Sequence, residues 1–72
     1  MHRLSKHARD QMVARGITED DVRAALNRRT GRPRVGSNGK IVVLGYAIGG
    51  RILKVVLTPD QEDIITLAWP DE

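Results

Sequence analysis

The pattern of apolar and polar positions changes period once along the chain. Over the first 27 residues, Leu4, Ala8 and Met12, then Val22, Ala25 and Leu26, recur at helical spacing among charged residues. The flanking residues supply the stops and starts. Ser5 can cap a first helix that Gly16 ends, because glycine readily takes the left-handed conformation of a helix terminus. Thr18 opens a second helix, with Asp21 placed to complete a capping box and Ile17 and Val22 placed as a hydrophobic staple. Glu19, Asp20 and Asp21 then sit at the positive end of that helix's dipole.

Beyond these helices the pattern is of β type, punctuated by turn signals. Asn38-Gly39 reads as a two-residue hairpin turn, Gly49-Gly50 as a second, and Thr58 to Asp63 as a longer acidic loop. Strands are therefore predicted over 32–37, 40–48, 51–58 and 63–69. The fold expected is α+β: a single domain over residues 1–72, with two N-terminal helices on one face of a four-stranded antiparallel meander.

Turn centres set register, and register sets faces. Two-residue turns pair Val35 with Val42, Arg34 with Val43, Val55 with Leu44, Leu53 with Tyr46 and Lys54 with Gly45. The helix-covered face then holds Val35, Val42, Leu44, Tyr46, Leu53, Val55, Leu57, Ile65, Leu67 and Trp69. The other holds Arg34, Val43, Gly45, Lys54, Val56, Ile64, Thr66 and Ala68. That second face is too apolar for one fully given to water, so something is expected to cover it part of the time.

Composition narrows the picture further. A chain of 72 residues buries only about 60% of its unfolded surface. With no Phe, one Trp and one Tyr, its core must be aliphatic. Zero cysteines exclude a disulfide framework and thiolate metal sites, and fit a cytoplasmic setting. The longest apolar run, residues 41–48, is too short for a membrane helix, and no apolar stretch after the early charges reads as a signal peptide.

Charge is divided unevenly. Residues 1–40 carry ten Lys/Arg against four Asp/Glu, a net of +6, while residues 41–72 carry two against five, a net of −3. Arg28, Arg29, Arg32, Arg34 and Lys40 form a stretch without any acid, which suits a phosphate backbone. The plainer alternative is a solvated loop in which Arg28 and Arg29 complement the end of the second helix.

These features admit one economical chemistry. RNA supplies its own nucleophile, the ribose 2′-hydroxyl, so cleavage needs a base, cations for the growing phosphorane charge and a group to orient the phosphate. His7 is the histidine inside a predicted element, and imidazole titrates near neutrality. Lys54 and Arg34 share a face and supply charge, with Arg51 as an outlying cation. Thr66, on that face too, can hydrogen-bond a phosphate oxygen. Metal-dependent alternatives fail on spacing: His2 and His7 are five apart with no accompanying carboxylate, and the three acids of residues 19–21 diverge around one turn. No cofactor is implied.

The run His7-Ala8-x-x-x-Met12-x-x-Arg15-Gly16-Ile17-Thr18-x-x-Asp21-Val22, the strand Leu53-Lys54-Val55-Val56 and the late Ile64-Ile65-Thr66 together resemble a small bacterial domain of unknown function. That domain is grouped with RelE-like and BrnT-like toxins, within the fold of barnase, EndoU, colicin and RelE ribonucleases. The resemblance spans nearly the whole chain. It implies a toxin-type endoribonuclease acting on RNA, with an antitoxin protein or a second copy as partner. The family's histidine maps to His7, its strand lysine to Lys54 and its late hydroxyl to Thr66. The chain departs from the pattern at Gln11, where a basic residue is expected before Met12. The competing expectation is a non-catalytic binding module of the same fold.

Overall fold

A computed structural model describes residues 3–71. In chain order the elements are β1 (Arg3–Leu4), α1 (Lys6–Arg15), α2 (Glu19–Asn27), β2 (Arg34–Val35), a single 3-10 turn (Ser37–Gly39), β3 (Ile41–Tyr46), β4 (Ile52–Leu57) and β5 (Asp63–Ala68). They form one five-stranded sheet in the order β1-β5-β4-β3-β2, with both helices on one face.

The helical half follows its local signals. The Ser5 hydroxyl accepts from the Ala8 amide, and Gly16 ends α1 at φ 66° with its amide donating to the Met12 carbonyl. At α2 the capping box is complete: the Asp21 amide donates to Thr18 Oγ1 at 3.0 Å and the Thr18 amide to Asp21 Oδ2 at 3.1 Å. Ile17 and Val22 are buried on either side of it. Ala8, Val22 and Ala25 enter the core, with Leu4, Met12 and Leu26 packed against it.

The sheet departs from expectation in three ways. First, it is mixed rather than purely antiparallel, because Arg3 and Leu4 add a short parallel strand beside Asp63 and Ile64. Second, β2 shrinks to two residues. Third, both hairpins are shifted by one residue: Val35 pairs with Ile41, Arg34 with Val42, Val55 with Val43, Lys54 with Leu44 and Leu53 with Gly45.

The cause of the shift is loop length. Gly36 and Lys40 close the first loop, with Asn38 and Gly39 both at positive φ and Ser37 drawn in as a third loop residue. In the second, the Ala47 amide donates to the Arg51 carbonyl, and Gly50 alone takes positive φ, the pattern of a three-residue loop with a glycine bulge. One residue of slip exchanges the faces of a strand. Val43 and Gly45, expected on the open face, are buried under the helices. Val42, Leu44 and Tyr46, expected under them, lie on the open face, where Tyr46 is 43% exposed. A bulge opposite Val56 and Leu57 makes Ile65 the extra residue of β5, so Ile64 rather than Ile65 enters the core. Val35, expected to be covered, is exposed at the sheet's edge.

The core comprises Val43, Leu53, Val55, Leu57, Ile64 and Leu67 from the sheet and Trp69 just beyond β5, closed by α1 and α2. Among the described residues no helix is long and apolar enough to cross a membrane.

Candidate functional site

The site grows from the way the chain leaves α2. The Arg28 carbonyl accepts from the Tyr46 amide at 3.0 Å, and the Thr30 amide donates to the Leu44 carbonyl at 2.8 Å, so this segment lies on the outer edge of β3. Arg29 stands opposite Gly45, and Arg34 opposite Val42. Four residues, 30–33, therefore answer two, 43 and 44, and the surplus chain is pushed off the sheet edge. Pro33 suits the detour, since it has no amide hydrogen to lose from a ladder.

The displaced segment walls a cavity of about 540 Å³ on the face that the helices leave open. Val42, Leu44 and Lys54 floor it, Thr30 through Arg34 form one side, and Pro70 stands on the other. Arg32, Arg34 and Lys54 bring three cations to the lining and no carboxylate joins them. Among the described residues, none of the three is in an ion pair.

The structure thus brings Arg34 and Lys54 together on the expected face. Two registers had each slipped by one, and for Arg34 and Lys54 the slips cancel. Thr66 shares that face. Arg34, Val42, Val56 and Thr66 form one row across four strands, with Lys54 in the next row between Leu44 and Ala68. Arg34 and Thr66 are three strand spacings apart, roughly 14 Å between Cα atoms. Thr66 lies outside the cavity lining.

His7 lies on a different element. Helix α1 runs alongside the outer edge of β5, in the same direction. The Ser5 hydroxyl donates to the Ile65 carbonyl at 3.2 Å, the Leu67 amide donates to Gln11 Oε1 at 2.8 Å, and the Trp69 indole donates to the Arg15 carbonyl at 2.9 Å. His7 precedes Gln11 by one turn, so it shares the shoulder of α1 that follows this edge. It is exposed and does not line the cavity. His2 lies outside the described residues.

The remaining cations are dispersed. Arg28 is exposed at the end of α2, and Arg29 Nε donates to the Leu26 carbonyl at 3.1 Å, capping that helix as the plainer alternative held. Lys40 closes the first hairpin loop. Arg51 begins the return of the second, where its guanidinium grips Asp71 at 3.0–3.2 Å and lies 4.2 Å from the centroid of the Trp69 ring. Among the described residues no three His, Asp or Glu side chains converge as metal ligands would.

Several participants escaped sequence reasoning. Thr30, Leu44 and Pro70 line the cavity only because of the corrected register and the return of the chain after β5. Gln11, read as a missing cation, is an acceptor for an edge amide. Pro33 was the available signal: a proline inside the expected strand 32–37 marks where the chain leaves the ladder.

Comparison with known proteins identifies a family. The family model described as "Domain of unknown function (DUF4258)" matches residues 4–69. No curated protein and no solved structure matches the chain.

Proposed function

Given that the chain belongs to the DUF4258 family, we propose that it is a metal-independent endoribonuclease of the kind found among RelE-like and BrnT-like toxins. The observation that carries this reading is the cavity in which Arg32, Arg34 and Lys54 gather without an acid on the open sheet face. Cations placed this way meet a phosphate and stabilise the extra charge of a phosphorane. Thr66, on the same face, offers a hydroxyl to a phosphate oxygen.

In the cleavage step the 2′-oxygen attacks the adjacent phosphorus, the bond from phosphorus to the 5′-oxygen breaks, and a 2′,3′-cyclic phosphate and a free 5′-hydroxyl result. His7 takes the 2′-proton while a water protonates the leaving 5′-oxygen, or the two roles are exchanged. An antitoxin protein or a second copy would cover the face between encounters. The setting is the cytoplasm.

A second reading is favoured by one feature, the position of His7 outside the cavity lining. Under it the domain binds RNA or a protein partner without cutting. Incubation of purified protein with total RNA and a chelator separates the two. The enzyme reading expects cleavage to 2′,3′-cyclic ends that is lost in His7→Ala. Intact RNA retained by the protein leaves the binding module.

A further inference from the structure

We infer that the cavity between the displaced segment 30–34 and Pro70 receives one unpaired ribonucleotide, its base against the apolar floor and its phosphate on Arg34 and Lys54. This rests on the RNA reading above and names the form of substrate that the site accepts.

Three observations support it. The first is size. At about 540 Å³ the cavity lies within the ~300–1,000 Å³ typical of small-molecule sites, far more than a single phosphate or carboxylate fills. The second is the division of its lining. Val42, Leu44, Pro33 and Pro70 present apolar surface, while Arg32, Arg34 and Lys54 present charge. A bare anion would have no use for the first group, and a purely apolar side chain none for the second. A nucleotide has a flat, weakly polar base and an anionic phosphate, and matches both.

The third is recess. A duplex keeps its bases stacked inside and offers only its backbone, so it would lie across the rim and leave the floor empty. Single strands can splay a base outward, and proteins receive such bases on guanidinium planes as well as on aromatic rings. Arg32 and Arg34 bring two guanidinium groups to a lining that has no aromatic residue.

The test uses the full chain and fluorescence anisotropy. A labelled single-stranded RNA octamer, held uncut by 2′-O-methyl groups, is compared with a duplex of the same sequence. Adenosine, cytidine, guanosine and uridine 5′-monophosphates and inorganic phosphate serve as competitors. The single strand is expected to bind about tenfold tighter than the duplex, and at least one mononucleotide to compete at about tenfold lower concentration than phosphate. Leu44→Glu, which puts an acid and bulk on the floor, is expected to remove that advantage while leaving the far-ultraviolet circular dichroism unchanged. Equal binding of single strand and duplex, with mononucleotides no better than phosphate, overturns the inference and leaves the RNA reading intact. Failure to bind any RNA, with or without capture of an acidic peptide in its place, overturns both. If Leu44→Glu unfolds the chain, Pro70→Glu at the exposed wall is the substitute and carries the same expectation.

Discussion

Gly45 of β3 meets the backbone of Ala25 in α2 so closely that a Cβ on the glycine would lie 1.9 Å from the Ala25 carbonyl oxygen. No side chain can occupy that space, so α2 rests directly on the strand. The same contact lets the chain leave α2 at the level of β3, where the Tyr46 amide donates to the Arg28 carbonyl and the Thr30 amide to the Leu44 carbonyl. The cavity wall begins there. Helix seating and site construction are therefore one feature.

Gly45→Ala is accordingly expected to destabilise the fold by about 3 kcal/mol, at the upper end of overpacking costs, because the obstructing atoms are backbone and cannot rotate away. Gly49→Ala is the control: nothing lies within 4 Å of its Cβ position and its φ is not positive. Urea titrations of the two variants should differ plainly in midpoint, with Gly49→Ala close to wild type.

The helical half was legible because its determinants are local. Ser5, Gly16, Thr18 and Asp21 each act within four residues of themselves, and each does what its chemistry dictates. The sheet was legible in its order and less so in its faces. Asn38-Gly39 and Gly49-Gly50 both mark hairpins correctly, but dipeptides do not reveal whether a third residue joins the loop. That one residue decides whether Val42 or Val43 is core. Gly45 belongs to the same class: its closeness to Ala25 depends on long-range packing that spacing cannot show. Of the site, Arg34 and Lys54 share the expected face, while the walls of the cavity depend on the surplus residues 30–33 and could not be foreseen from alternation.

Gln11 illustrates how a departure from pattern can have a structural cause. Its Oε1 accepts from the Leu67 amide, an edge group of β5 where β1 has already ended. Gln11→Arg restores the expected cation but removes the acceptor, leaving a partly buried amide without its partner. The expected cost is about 1–2 kcal/mol. Thermal unfolding should show the loss, and amide hydrogen exchange at Leu67 should accelerate more than at Val55 in the sheet interior.

The C-terminal end is held by charge, and its contribution depends on pH. The hydrogen bonds from Arg51 hold the Asp71 carboxyl below its ordinary value of 3.8. The Thr58 hydroxyl and the Glu62 amide lower that of Asp60 in the same way. A carboxylate whose folded pKa is depressed contributes stability that is fully present above the ordinary value and lost as pH falls through the folded one. Asp71→Asn should therefore be slightly less stable than wild type at pH 7, with the difference closing below about pH 4. Trp69 reports locally, since Arg51 lies over its ring. Its fluorescence should change in the variant at pH 7 and, in wild type, on acidification. A pH-independent difference would separate Asp71 from this role.

If His7 moves the proton while the cavity cations hold the phosphate, the two kinds of substitution must separate in kinetics. His7 is exposed and bears none of the helix caps, so His7→Ala should leave stability and RNA affinity near wild type. Its cleavage rate should fall by about 10²–10⁴-fold, the range for losing a general acid or base. Lys54→Ala should weaken both binding and the chemical step. Single-turnover cleavage at saturating protein isolates the second effect. Undiminished cutting by His7→Ala would remove the imidazole from the mechanism.

Salt dependence counts the phosphates that the cavity engages. Each phosphate neutralised on single-stranded nucleic acid contributes about −0.7 to the slope of log affinity against log salt, so the one phosphate held by Arg34 and Lys54 should contribute about −0.7. Replacing Arg34 and Lys54 together by Ala should remove that contribution, and Lys54→Ala alone should reduce it in part. Arg51→Ala should leave it nearly unchanged, because that guanidinium is already engaged by Asp71 and Trp69. The Arg51 result is the discriminating one. A loss as large as that of Lys54→Ala would mean that RNA crosses the second hairpin and not the cavity beside β2, and the binding surface would have to be redrawn around Trp69.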